Sequence, residues 1–100
     1  MSLQIQTQKA NTDVTLALSG RIDTTTAPQL EEALDAALTD ARALIFDFSQ
    51  VEYISSAGLR VILKAQKAMK TRGTMKLTHV NDAVMEVFDI TGFLDFLTVE

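Results

Sequence analysis

The sequence predicts an α/β domain: a mixed four- to five-stranded sheet with an N-terminal antiparallel hairpin, then parallel strands joined by crossover helices. Three observations carry this reading. Two neighbouring segments near the N-terminus alternate apolar and polar residues with a period of two. From residue 24 onward, helix-period segments take turns with short strand-like runs. No linker, repeat or low-complexity stretch breaks the chain, so residues 1–100 read as a single domain.

The elements follow in order. "LQIQTQK" sets Leu3 and Ile5 against Gln4, Gln6 and Gln8, the pattern of a half-buried strand. After a polar break at 11–13, "VTLALSG" repeats it with Val14, Leu16 and Leu18, completing a hairpin. "TTTAPQLEEALDAALTD" is a helix. Thr26 and Gln29 fit a capping box, Pro28 suits a first turn, and Leu30, Ala33, Leu34, Ala37 and Leu38 form the inward stripe. "ALIFDF" is apolar on both faces, as a central strand covered by helices would be.

A second helix beginning near Ala57 turns Leu59, Ile62, Leu63, Gln66 and Met69 inward and stacks Arg60, Lys64 and Lys67 on a solvated face. "TMKLTHV" is another strand. "NDAVMEVFDITG" is a third helix with Asn81 as cap, Val84, Val87 and Phe88 inward and Gly92 as its stop. "FLDFLTV" supplies a last strand or an extended tail.

Bulk composition narrows the function classes. Apolar residues make up 47% and charged residues 22% of 100 positions, ordinary for a soluble chain with one core. A net charge of −4 disfavours direct nucleic-acid or anionic-membrane binding, both of which call for a basic field. Zero cysteines remove disulfide and thiolate chemistry. "MSLQIQTQK" lacks a signal-peptide pattern, and no apolar run approaches the roughly 20 residues of a membrane helix, so the expected location is the cytoplasm.

The stretch that needs explaining is "DFSQVEYISSAGLRVIL", where a strand runs into two serines, a small turn and a helix. Open α/β sheets place sites at such strand ends. The plainest role for Ser55 or Ser56 is to cap the helix, and for Gly58 to let the helix approach the sheet. A nucleophile elbow fails, because Ile54 stands where the first glycine belongs and His79, in a strand pattern, is the single histidine. A phosphate-binding loop fails for want of a glycine before the serines. One histidine and no cysteine leave no metal-ligand spacing, and Asp23, Asp40 and Asp47 read as turn, cap or surface residues.

The same stretch resembles the signature of STAS domains, the bacterial anti-sigma factor antagonists. The likeness extends to "LSGRIDTTTAPQL" and "VMEVFDITGF", in the same order along the chain. It implies a non-enzymatic regulatory domain without a cofactor. Ser56 falls on the family's regulated, phosphorylated serine. Ser55 stands where many phosphorylated members carry aspartate, which makes it a rival acceptor, and Ala57 replaces a frequent Ser or Thr. Gly20 and Asp23 fall on a neighbouring loop of the partner surface; Arg21, Ser55, Ser56, Ala57, Gly58, Arg60 and Lys64 complete it. The implied partners are an anti-sigma factor of the serine-protein kinase type, to which ATP and magnesium would belong, and a metal-dependent serine phosphatase. The alternative is a phosphorylation-independent docking subunit of a transporter ATPase or a sensor complex.

Overall fold

A computed structural model of the protein describes residues 3–100; Met1 and Ser2, included in the single-domain expectation, lie outside the described residues. The elements are β1 (Leu3–Ala10), β2 (Asp13–Ile22), α1 (Ala27–Ala37), β3 (Ala43–Ile54), α2 (Ser56–Lys70), β4 (Thr74–Thr78) and α3 (Asp82–Ile90), followed by a 3₁₀ turn, Phe93–Asp95. The sheet has four strands in the order β1-β2-β3-β4, with β1 antiparallel to β2 and the remaining pairs parallel. The hairpin forms as expected. Asn11, at φ +59, takes the left-handed position in its turn, a conformation that asparagine tolerates better than most residues.

Burial along β3 departs from the sequence reading. Leu44, Phe46 and Phe48 are buried while Ala43, Ile45 and Asp47 are only half-buried. The strand is therefore covered fully on one face rather than two. Phe46 and Phe48 meet edge to face at 6.5 Å, and Phe48 lies 6.2 Å from Phe88 of α3. Val14, Leu16 and Leu18 of β2, with Met75 and Leu77 of β4, complete the sheet side of the core.

The helical stripes also shift. In α1 the buried residues are Ala27, Leu30, Leu34 and Ala37, with Ala33 and Leu38 half-buried. In α2, Val61 and Ala65 join Leu59, Ile62 and Met69 inside, while Leu63 and Gln66 sit at the margin. The stripe is thus rotated toward the groove shared with α1. In α3, Val84 and Phe88 are buried and Val87 is half-buried.

The expected capping box does not form. Thr26 makes no side-chain cap bond to its own helix, and Gln29 Nε2 instead donates to the Leu3 carbonyl at 2.8 Å. Pro28 does occupy the first turn. Asn81 caps α3 as expected, its Oδ1 accepting from the Val84 N–H at 2.9 Å. Gly92, at φ +81, ends that helix in a left-handed turn that a side chain would strain. The final segment forms the 3₁₀ turn and one parallel bridge, Leu77 to Val99, instead of a fifth strand.

Candidate functional site

The C-terminal ends of β2 and β3 lie side by side. Gly20 pairs with Val51, Arg21 with Tyr53 and Ile22 with Ile54, and the Ser55 N–H donates to the Ile22 carbonyl at 2.8 Å. This register brings residues 20–23 against residues 53–58. Gly20 is therefore within β2, at φ +115, and not in a loop. Asp23 does lie in the turn after the strand.

β3 reaches this tip through two irregularities. Its pairing with β2 slips by one residue between Asp47 and Gln50 and again between Val51 and Tyr53. Each bulge reverses which side of the strand faces the helices. The buried positions consequently run Leu44, Phe46, Phe48, Val51, Ile54, changing from a spacing of two to a spacing of three. Asp47 braces the first bulge, its Oδ1 accepting from the Ser49 N–H at 2.9 Å. That bond, ahead of the His79 ring 3.3 Å away, holds the Asp47 carboxyl below the usual range against a smaller effect of burial. Asn81 Nδ2 donates to the Val51 carbonyl at 2.8 Å and ties the second bulge to the start of α3.

The neighbouring turn is organised by Asp23. Its Oδ1 accepts from the Thr25 hydroxyl at 2.7 Å, the Thr25 N–H at 3.0 Å and the Thr26 N–H at 3.1 Å. The Thr25 hydroxyl is the main reason that the Asp23 carboxyl stays below its ordinary value. The buried Thr26 hydroxyl donates to the Arg21 carbonyl and accepts from the Asp23 N–H, both at 2.8 Å. Asp23 thus shapes the turn before it offers charge to anything outside.

At the head of α2, Ser55 occupies the N-cap position with extended backbone, and its carbonyl accepts the first helical bond from the Leu59 N–H. Its side chain does not cap the helix; Oγ is buried and has no hydrogen-bond partner among the described residues. Ser56, one residue on, is exposed, and Ala57 is half-buried. Gly58 is buried under the tip. A Cβ there would stand 2.5 Å from Ile22 Cγ2 and 2.8 Å from Ile54 Cγ1, so glycine lets α2 approach the strand ends.

The long side chains around this tip divide into two groups. Arg60 is exposed, four residues after Ser56 and therefore on the same side of α2. Lys64 is not simply solvated: its Nζ lies 2.7 Å from Glu31 and 2.9 Å from Asp35 of α1, and these carboxylates, Glu31 foremost, raise its pKa. The sequence reading also overlooked Tyr53. The residue is 41% exposed, with the Arg21 guanidinium 4.5 Å from its ring centroid and Arg21 Nε 3.9 Å from Asp23. An aromatic directly after a glutamate in "VEYIS" was the available signal, but only the second bulge and the strand register bring Arg21 over it.

The described residues contain no group of three or more His, Cys, Asp or Glu that could hold a metal. His79 is exposed beyond β4 at φ +59, its Nδ1 3.3 Å from Asp47 Oδ1, and among the described residues it makes no hydrogen bond to a serine. No described helix is long and apolar enough to cross a membrane.

Comparison with known proteins gives a consistent result. The STAS domain family model matches residues 4–100. The anti-sigma-B factor antagonist of Listeria monocytogenes is 30% identical over 103 residues, an alignment covering 100% of this chain and 90% of the relative. An anti-sigma factor antagonist from Mycobacterium paratuberculosis superposes with a TM-score of 0.89 at 24% identity, covering 97% of this chain and 84% of that one. The Bacillus cell fate determinant SpoIIAA in its phosphorylated form superposes with a TM-score of 0.76 at 17% identity, covering 97% and 91%.

Proposed function

Because the chain belongs to the STAS domain family, we propose that it is an anti-sigma factor antagonist whose binding is switched off by phosphorylation of Ser56. The observation that carries the proposal is the unequal placement of two adjacent hydroxyls. Ser56 stands exposed at the first position of α2, whereas the Ser55 Oγ is buried beneath the tip. The accessible acceptor is Ser56. The names of the Listeria relative and of phosphorylated SpoIIAA support the same reading.

The docking face comprises Arg21, Tyr53, Ser56, Ala57 and Arg60, with Gly20, Asp23, Ser55 and Gly58 shaping it from below. Tyrosine and arginine are the residue types that most often anchor interfaces. Lys64, held by two carboxylates, sits at its margin. The unmodified Ser56 hydroxyl enters a contact cheaply if it keeps one hydrogen bond.

A phosphate adds about −1.5 to −2 charges at neutral pH. The start of α2 accepts that anion: its first turn carries no acidic residue, and the helix dipole contributes about 0.3–1 kcal/mol. Arg60 stands within a helical turn as a counter-charge. A closed interface does not accept it, because burying an unpaired anion costs on the order of several kcal/mol and each ~1.4 kcal/mol is tenfold in affinity. The fold survives while the partner leaves. The partner is an anti-sigma factor that is also the serine kinase; ATP and magnesium belong to it, and a metal-dependent phosphatase restores the serine.

The test is incubation with the cognate kinase and ATP, mass mapping of the product, and binding measurements on Ser56→Ala and Ser56→Glu. The expected product carries one phosphate, on Ser56 and not Ser55. Ser56→Ala binds like the parent, and Ser56→Glu binds at least about 100-fold more weakly, the equivalent of ~2.7 kcal/mol. No phosphate on either serine would sink the switch. Equal binding by both variants would favour the phosphorylation-independent docking role.

A further inference from the structure

The two edges of the sheet are treated differently. At β4 the C-terminal segment covers the edge: the Leu77 N–H donates to the Thr98 carbonyl at 2.9 Å, and the Glu100 N–H to the Leu77 carbonyl at 2.8 Å. At the other edge, Gln29 of α1 bonds the Leu3 carbonyl at the end of the strand, and β1 otherwise pairs with β2 through eight consecutive residues without a bulge or a proline. Edge strands usually carry such interruptions, or charges, to stop them from pairing with another chain. The single charge on β1, Lys9, is engaged by Asp40 at 2.7 Å. Residues 3–10 contain no carboxylate, although the whole chain carries −4.

We propose that the open β1 edge is a homodimer interface, with two copies pairing antiparallel about a two-fold axis at Gln6 to form a continuous eight-stranded sheet. Side-chain chemistry favours a second copy over a different partner. Gln4, Gln6 and Gln8 are exposed and share the helix-free face of the sheet, opposite Ser19, Ala17 and Thr15 of β2. Centred on Gln6, the pairing sets Gln6 against Gln6 and Gln4 against Gln8 of the other copy. A primary amide both donates and accepts, so these contacts are self-complementary. On the helix side, Ile5 faces Thr7 and Leu3 faces Lys9, which keeps the two lysines apart. Two acidic molecules thereby meet along strands that themselves carry no carboxylate. Leu3 pairs with Gly20, so the N-terminal end of β1 lies beside the Ser56 tip. Antiparallel pairing sends the two tips to opposite ends of the sheet, where both remain free to dock.

The experiment is sedimentation equilibrium on the full chain from micromolar to millimolar concentration. It is repeated for a triple variant, Gln4→Lys, Gln6→Lys and Gln8→Lys, for the equivalent triple glutamate variant, and for their mixture. Circular dichroism establishes that each variant is folded. The parent is expected to approach twice the 11.0 kDa chain mass. Each charged variant sets three like-charged pairs opposite one another and is expected to weaken the dimer at least about tenfold. The mixture, which opposes lysine to glutamate, regains the dimer mass. A parent that stays monomeric at millimolar concentration overturns the proposal, as do charged variants that dimerise like the parent. A mixture that remains monomeric overturns it too, because the register is then wrong.

Discussion

Gly58→Ala tests the packing beneath the serine tip. The added methyl meets Ile22 Cγ2 at 2.5 Å and Ile54 Cγ1 at 2.8 Å, well inside contact distance. Neither isoleucine can retreat easily, being 0% and 2% exposed and packed in the core of the sheet. Overpacking of this kind costs about 1–3 kcal/mol. Alanine returns at most about 1 kcal/mol through better helix propensity. Taking the middle of the overpacking range, about 2 kcal/mol, the net expectation is a loss of about 1–2 kcal/mol, which for a domain of this length lowers Tm by roughly 4–16 °C. Urea titration should show a lower midpoint at an unchanged slope. In an Ile22→Ala background the added penalty should shrink, because the Cγ2 that the methyl strikes is gone. A Gly58→Ala protein as stable as its parent would refute the close-approach argument. Strict additivity with Ile22→Ala would place the cost elsewhere.

Two further perturbations probe the supports of β3. Asp47→Asn keeps an oxygen for the Ser49 N–H but removes the titration. The folded carboxyl lies below its unfolded value, so its contribution is full above that value and disappears as pH falls through the folded one. The variant should therefore lose less stability than the parent below about pH 4; superimposable urea midpoints through that range would contradict this. Asn81→Ala removes both the cap on Val84 and the bond to Val51, with an expected cost of about 2 kcal/mol by urea titration. Asn81→Asp should recover part of that loss, since it restores the cap but not the donor; full recovery would mean that the Val51 bond contributes nothing.

What was legible in the sequence was local, and what was missed depends on register. Alternation in residues 3–9 and 14–20, Pro28, the Asn81 cap and the Gly92 stop each act within a few residues, and each appears where expected. The bulges of β3 could not be read in the same way. "FDFSQVEYI" looks like an apolar strand followed by a polar stretch, and its core positions become evident only when β2 shows where the pairing slips. Ser55 illustrates the same limit. Its residue type and place before a helix suit a cap, yet its carbonyl rather than its hydroxyl serves α2. Lys64 belongs to a solvated stripe when α2 is read alone, and becomes a link to α1 once Glu31 and Asp35 stand opposite. The residues named through the resemblance lie around the ends of β2 and β3 and the start of α2, with Lys64 off to one side against α1, and Tyr53 comes beside them by way of the second bulge.

The bracing of this tip has a mechanical consequence for the proposed switch. Ser55 is tied to Ile22 through its N–H, Asp47 and Asn81 hold the bulges, the Asp23 turn is closed by hydrogen bonds through Asp23 Oδ1 and the Thr26 hydroxyl, and Gly58 seats α2 on two buried isoleucines. A phosphate on exposed Ser56 touches none of these ties. It changes the charge of the face far more than its shape. Under the proposed switch, the partner would be expelled by the cost of stripping water from an anion, not by rearrangement of the domain. Such a switch is reset by removing the phosphate alone, without refolding, and its two states differ by about the affinity loss expected for Ser56→Glu or more, since a carboxylate carries less charge than a phosphoserine.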